Sequence, residues 1–481
     1  MAESLGNKAA KGAVWATVDK VGSLALQFGV NLVLARLLMP SDYGVIGMLT
    51  IFIAVSQVLI DAGFGSALIQ KKEPTQRDFS TIFIWNVLFS LLLYLVLFLI
   101  APYVAEYFSM PVLCNVLRLI GITLIINSVL SIQTTKLRKE LSFKAIALTN
   151  LSSYIIGATV AIIAAYNDAG VWSLVSMQLT YGGMSVTIMW IITRWHPSLC
   201  FSIQTMQELF GFGGYLMAAN ILQEICRNIQ GIIIGKKYSV AQLGYYSQAH
   251  KFDSVTSNAL PQVISQVMFP VFSKLQNDLQ MMAKHLDKCV RIIAFITLPI
   301  IGGLILFAEP TIEFLYGDKW LPCVPYYQVF CIGGIVVSFI NINFYVVAAL
   351  GKSKVLFYWS FYKWGVLLIA ILIGMNFGVI GIVWGVVISN FNTYLVNATL
   401  ACRYLSISIL SQIYRWLYIL IFVAISMAIS KCLYTFIDIH VIANIAAYVI
   451  TYLSLNLIFN KKDFICIISA AKQLKQSPAN H

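Results

Sequence analysis

The sequence predicts an all-α polytopic membrane protein of about fourteen transmembrane helices, built as two six-helix lobes in parallel repeat with two extra helices at the C-terminus. Three observations carry this. The 481 residues are 59% hydrophobic and only 11% charged, with a mean hydropathy of +0.83, whereas soluble domains are about a quarter charged. The apolar runs are continuous and near the roughly 20 residues a bilayer-crossing helix needs, not the ten-residue alternation of a barrel strand. Finally, a polar stripe recurs at one fixed offset. Thr17, Lys20, Ser23, Gln27 and Asn31 share a helical face, and 200 residues later Asn220, Gln223, Arg227 and Gln230 share a comparable one.

Taken in order, spans are expected near 13–38, 43–69, 79–105, 112–135, 146–165, 170–193, 208–235, 245–272, 287–307, 321–349, 355–375, 379–401, 412–431 and 438–459. The first is too long for the apolar core of a cleavable signal and runs straight into further spans. After it comes ARLLMPSDYG (35–44), and the equivalent loop is GKKYSVAQLG (235–244), aligning Arg36 with Lys236 and Gly44 with Gly244. Weaker echoes follow: APYVAEYF (101–108) with AEPTIEF (308–314), LRKELSF (137–143) with LGKSKVLF (350–357), and GVW (170–172) with GIVW (381–384). The expected organisation is therefore an N-lobe at 1–195, a cytoplasmic linker at 196–210, a C-lobe at 211–405, two peripheral spans at 406–460 and a basic tail at 461–481. In the linker Pro197 breaks the preceding helix. Phe201, Met206, Leu209 and Phe210 among polar residues fit either a helix lying on the membrane surface or a plain connection. Parallel repeats of this kind are a transporter signature, with substrate bound between them.

Net charge is +13, but its placement excludes a nucleic-acid partner as the explanation. With the N-terminus cytoplasmic, 22 of the 32 Lys and Arg fall in cytoplasmic segments, 5 on the opposite side and 5 inside spans. That is the positive-inside pattern, with both termini cytoplasmic. The nine cysteines stand singly with no CxxC pair, which supports neither a zinc site nor a disulfide framework.

Charges within spans are costly, on the order of 2.5–3.5 kcal/mol each, and face a cavity or a partner. Those present are Asp19, Lys20, Asp61, Arg118, Glu224, Arg227, Lys251, Asp253 and Lys363. Lys20 and Arg227 lie deepest. Arg118 and Lys251, near span ends, either line the cavity or snorkel to the interface. Glu224 stands three residues from Arg227, so a structural ion pair competes with a functional role. Asp19 and Lys20, being consecutive, diverge by about 100° and need separate partners. Span eight adds a stripe through Lys251, Ser254, Asn258, Gln262 and Ser265, and span two adds Gln57 and Asp61. Asn127, Gln178, Asn341, Asn343, Tyr358 and Trp359 supply either hydrogen bonds and stacking platforms to the cavity or ordinary interhelical hydrogen bonds. Enzyme motifs, metal-ligand spacings and cofactor signatures are absent. Gly351-Lys352-Ser353 lacks the upstream glycine of a phosphate loop, and Val346 stands in its place.

Four strings together resemble the polysaccharide exporters of the MOP superfamily, nearest to the colanic-acid, teichuronic-acid and O-antigen flippases. They are ARLLMPSDYGVIGM (35–48), DAGFGSALIQ (61–70), LRKELSFKAIA (137–147) and the long stretch from GYYSQAHKFDS to FSKLQND (244–278). The resemblance implies a bacterial inner-membrane translocase that turns an undecaprenyl-diphosphate-linked oligosaccharide between leaflets. It implies diphosphate contacts at Lys20 and Arg227, by analogy with lipid II flippases. Gln27, Asn31, Gln223, Lys251, Arg118, Lys363 and Asn258 are the further cavity candidates. Asp19, Asp61, Glu224 and Asp253 are candidates for cation coupling or structural pairing. The implied partners are the lipid-linked oligosaccharide, membrane lipids and the polymerase and glycosyltransferases of the same pathway. Competing readings are a cation-coupled multidrug exporter of the same fold, and a glycosyltransferase or ligase, which would need larger extracytoplasmic loops with catalytic carboxylates.

Overall fold

A computed structural model describes the backbone of residues 2–437 and 440–461, and the side chains there except at 2–7, 9–10, 211–216, 255–267, 353 and 436–437. Asn258 and the basic tail beyond 461 therefore lie outside the described residues. The helices in chain order are α1 (Ala2–Leu37), α2 (Pro40–Asp61), α3 (Phe64–Gln70), α4 (Gln76–Tyr107), α5 (Val112–Lys139), α6 (Phe143–Tyr166), α7 (Val171–Thr193) and α8 (Ile203–Lys237). They continue with α9 (Val240–Lys274), α10 (Leu279–Leu306), α11 (Ala308–Tyr316), α12 (Val324–Ala349), α13 (Ser353–Gly374), α14 (Gly378–Leu405), α15 (Ile409–Ile437) and α16 (Val441–Phe459). Among the described residues eleven stretches are long and apolar enough to cross a bilayer, one of which, Lys354–Leu405, contains most of α13 and all of α14. The protein is a multi-pass helical membrane protein. Only α3 and α11 are shorter than 19 residues.

The chain packs as two compact units, 1–247 and 248–481. In the first, α6 lies between α1 and α7, α4 pairs with α5, and α2 packs against α8. The repeat is visible in the capping. Before α2, the Met39 N–H donates to Asp42 Oδ2 at 2.9 Å. Before α9, the Ser239 N–H donates to Gln242 Oε1 at 3.5 Å and the Gln242 N–H to Ser239 Oγ at 3.2 Å. The pairs 39/42 and 239/242 sit 200 residues apart and satisfy the same orphan donors of a helix start.

Those two helix starts also touch each other. A β-carbon at Gly44 would overlap the Val240 carbonyl oxygen, and one at Gly244 would overlap the Pro40 carbonyl oxygen. Each contact is the image of the other under the 200-residue offset, so the pair forms a local pseudo-twofold crossing that only glycine permits.

The second expected span is broken at Ala62 and Gly63, both with positive φ (43° and 75°). The Asp61 carboxylate lies beside Gly65 at the start of α3. At the other end Lys139 Nζ donates to the carbonyls of Leu68 (3.3 Å), Ile69 (3.0 Å) and Lys71. An anion at the N-terminus and a cation at the C-terminus complement the dipole of this short helix, and the DAGFGSALIQ string encodes the break.

The linker is no loose connection. Pro197 keeps 194–202 out of a helix, Ser202 caps α8 by accepting the Thr205 N–H (3.3 Å), and 203–210 form the first two turns of the same helix that continues to Lys237. A ladder of bonds ties this stretch to the start of α4. Gln76 takes the Trp195 indole N–H (2.6 Å) and donates to the His196 carbonyl (2.8 Å), Ser80 accepts from Ser198 (2.9 Å), and Thr205 donates to Asp78 (3.1 Å). Lys71 pairs with buried Asp78 at 2.9 Å. Trp195 and Leu209 sit in an apolar cluster with Phe64, Leu68 and Phe79. Asp78→Ala removes a helix cap and strands Lys71 and Thr205, a loss of about 1–2 kcal/mol. The expected outcome is earlier thermal unfolding and new protease cleavage within 196–202.

In the second unit α10 packs with α12 and α15, and α12 with α14. Pro299 inside α10 has no N–H, which leaves the Phe295 carbonyl without its helical partner. The Tyr452 hydroxyl on α16 donates to that carbonyl at 2.9 Å, and Tyr448 donates to the Pro299 carbonyl at 2.7 Å. A proline-made vacancy thus docks the last helix.

Candidate functional site

Helix α1 separates its two adjacent charges as the 100° turn requires. Asp19 points inward, accepting the Asn150 Nδ2 amide on α6 at 3.2 and 3.3 Å and the Ser23 hydroxyl at 3.5 Å. Tyr181 on α7 lies within electrostatic reach of Asp19 and stacks edge-on with Tyr154, ring centroids 5.9 Å apart. One turn along α6 from Asn150, the Ser153 hydroxyl is fully buried without a hydrogen-bond partner. The result is a cluster of polar side chains inside the first unit, contributed by α1, α6 and α7. Asn150 and Tyr181 were not among the sequence candidates, although Asn150, Ser153 and Tyr154 at steps of three and four mark a polar face.

Lys20 points the other way and is exposed, as is Gln27 seven residues on, while Asn31 is half-buried. On α8, Arg227 is exposed and Gln223 half-buried. Glu224 does not pair with Arg227: its carboxylate accepts the Asn228 amide at 3.0 Å. Among the described residues neither Lys20 nor Arg227 has a hydrogen bond, ion pair or ring contact. A cation inside a membrane-crossing stretch without a counter-charge is expensive unless water or an anionic ligand meets it, and Lys20 lies in such a stretch, Lys11–Leu37.

The other candidates divide. Arg118 folds back on α4, donating to the Phe98 carbonyl at 3.4 Å with its guanidinium 4.1 Å from the Phe98 ring centroid. Asp61 lies at the start of α3, as described. In the second unit Lys251 is exposed, Asp253 half-buried, and Lys363 sits 4.7 Å from the Trp364 ring centroid. Gln57 accepts from Asn127 at 3.3 Å, an interhelical bond that uses both groups. Asn343 is fully buried and accepts from Gln412 at 3.1 Å. A cavity of about 600 Å³ near the start of α8 is walled mostly by apolar side chains, among them Leu59, Phe89, Met206 and Met217, with Gln207 and Trp85 as its polar-bearing residues. Among the described residues no three His, Cys, Asp or Glu side chains converge to hold a metal ion.

Comparison with known proteins places the fold. The fold resembles that of the lipid II flippase MurJ in an inward closed conformation, with a TM-score of 0.75 over 93% of this chain and 99% of that one at 16% identity. It also resembles an inward-facing multidrug resistance MATE transporter of the MOP superfamily, with a TM-score of 0.64 over 82% of this chain and 98% of that one at 11% identity. In sequence the chain is 24% identical over 351 residues to the teichuronic acid biosynthesis protein TuaB of Bacillus subtilis, covering 73% of each. It is 23% identical over 385 residues to the lipopolysaccharide biosynthesis protein WzxC of Escherichia coli, covering 79% of this chain and 78% of that one. Residues 33–325 match the polysaccharide biosynthesis protein family, and with more than half its length so matched, the chain belongs to that family.

Proposed function

We propose that the protein flips a polyprenyl-diphosphate-linked oligosaccharide across the bacterial cytoplasmic membrane by alternating access, for surface polysaccharide assembly. Both termini lie in the cytoplasm in this reading. The observation that carries it is the pair of uncompensated cations, Lys20 and Arg227, on the exposed faces of the helices that open the two repeats. A diphosphate supplies the missing negative charge, and its attraction is several-fold stronger in a low-dielectric site than in water. Gln27, Asn31 and Gln223 supply the neutral donors and acceptors that sugar hydroxyls need. Lys251 and Lys363 offer further cationic contacts in the second unit, and Arg118 serves packing. No covalent step is involved. The polymerase and glycosyltransferases that make and consume the lipid-linked sugar are the functional partners.

Asp19, held by Asn150 and Ser23 and turned away from Lys20, is the residue for cation coupling, because a carboxylate held by neutral donors keeps its negative charge for a small cation or a proton. Glu224 and Asp253 are secondary candidates, and Asp61 is structural. The same cluster is the one observation that favours the multidrug-exporter reading.

The test is reconstitution of the full chain in vesicles containing a polyprenyl-diphosphate oligosaccharide, with flipping read from lectin access to the outer leaflet. Protein-dependent access is expected, and Asp19→Asn is expected to slow it several-fold while leaving binding of the lipid unchanged. Protein-independent access under sodium and proton gradients of either sign would overturn the assignment. A strain without the gene that gains drug sensitivity and keeps its polysaccharide would favour the exporter.

A further inference from the structure

The second unit contains a cavity of about 780 Å³ that the transport reading does not use. It lies where α10 ends, α11 and α12 begin, α15 ends and α16 begins, the end of the unit away from the basic loops at 274–291 and 352–354. Its volume falls within the range of small-molecule sites, roughly 300–1,000 Å³. Unlike the apolar cavity of the first unit, its walls have three distinct chemistries.

One wall is anionic. Glu309 and Glu313 are four residues apart on the same face of α11, and both are exposed. Helix α15 contributes Lys431, an exposed ammonium near its C-terminal end. Asn444, at the start of α16 and only 3% exposed, also lines the cavity. Its Oδ1 accepts the Ser430 hydroxyl at 2.6 Å, and its Nδ2 has no hydrogen bond among the described residues. An amide donor so buried, lining a cavity and unpaired, is a place where a ligand oxygen belongs. The third wall is apolar, from Ile305, Leu306 and Phe307 on one side to Met427 and Ala428 on the other.

We propose that this cavity binds a glycerophospholipid whose headgroup carries both a phosphate and a primary ammonium, of the phosphatidylethanolamine type. The phosphate meets Lys431, the Asn444 amide and the positive end of α16. The ammonium meets Glu309 and Glu313, to which it can donate up to three hydrogen bonds. The glycerol and upper acyl carbons lie on the apolar wall. A quaternary choline group has no N–H to give the two carboxylates, and a glycerol headgroup brings no positive charge to them, so the anionic wall is the element that selects. The site is independent of the proposed transport function, since none of its residues belongs to the candidate substrate set.

The experiment is native mass spectrometry of the full chain in detergent, offered dioleoyl phosphatidylethanolamine, phosphatidylcholine or phosphatidylglycerol at equal concentration, with soluble phosphoethanolamine as a fourth arm. Phosphatidylethanolamine is expected to be retained about tenfold more than the other two lipids, the worth of one or two charge-assisted hydrogen bonds. Phosphoethanolamine is expected not to bind, because it lacks the chains. In Glu309→Gln with Glu313→Gln the preference is expected to vanish while total lipid retention stays. In Lys431→Gln retention of all three lipids is expected to fall. Equal retention in the wild type, a preference that survives the double Gln change, or phosphoethanolamine binding as well as the lipid would each overturn the proposal. The double Gln change places neutral isosteres at exposed positions, so folding is preserved, and an unchanged unfolding temperature verifies it.

Discussion

Reversal of both cations, Lys20→Glu with Arg227→Glu, is expected to abolish surface polysaccharide in a strain lacking the native gene, at unchanged protein level. Both side chains are exposed and, among the described residues, without partners, so their removal breaks no contact of the folded chain. Loss of function without loss of protein therefore isolates a ligand role. Neutral changes, Lys20→Gln or Arg227→Gln, are expected to lower export about tenfold each, the worth of one charge-assisted contact. The reversed pair should do far more, because it replaces attraction for a diphosphate with repulsion. Arg118→Gln is the control: its guanidinium is engaged with Phe98, so its effect should appear in unfolding temperature before it appears in export. Normal polysaccharide from the reversed pair would remove the phosphate role from both residues.

The second large effect is expected at the helix crossing. Gly44→Leu or Gly244→Leu forces a side chain into a backbone carbonyl, Val240 in one case and Pro40 in the other. Neither obstacle is the flexible end of a side chain, so the helices must separate. The crossing continues along α8, where a β-carbon at Gly231 would stand 2.6 Å from the Gly47 carbonyl oxygen. Pushing α2 away from α9 costs on the order of 3 kcal/mol and strains the adjoining α2–α8 contact at Gly231, on the helix that positions Arg227. Both variants are expected to unfold at a temperature about 4 °C lower and to lose export. Gly183→Ala is the matched control, since nothing lies within 4 Å of a β-carbon there. Wild-type stability and export in Gly244→Leu would show that the close approach is not maintained in the membrane.

The pseudo-symmetry makes the two glycine changes equivalent in kind. It does not make the two repeats equivalent in chemistry, because Gln27 stands at the position that corresponds to Arg227 and Asn220 at the one that corresponds to Lys20. The cations thus occupy different levels of repeat-related helices, seven residues or about 10 Å apart along the helix.

Composition, hydropathy and the 200-residue offset were by themselves enough to determine the membrane class, the helical architecture and the paired helix starts, because burial in lipid and backbone capping are local demands written in nearby residues. The outward set of the first helix, Lys20 and Gln27, was also legible, since helical periodicity alone separates it from Asp19. Four things were decided only by the folded chain, and three of them depend on a partner on another helix. Asn150 and Tyr181, more than 130 residues beyond Asp19, are what place that carboxylate in a polar cluster. Phe98 is what Arg118 folds onto, a residue whose position near a span end left it open to either role. Asn228 takes Glu224 from Arg227, although the i,i+3 spacing allowed the ion pair. The linker looked unspecific because its partners, Gln76, Asp78 and Ser80, lie about 120 residues earlier at the start of another helix. Periodicity shows which face a side chain occupies, and only the packed chain shows what that face meets.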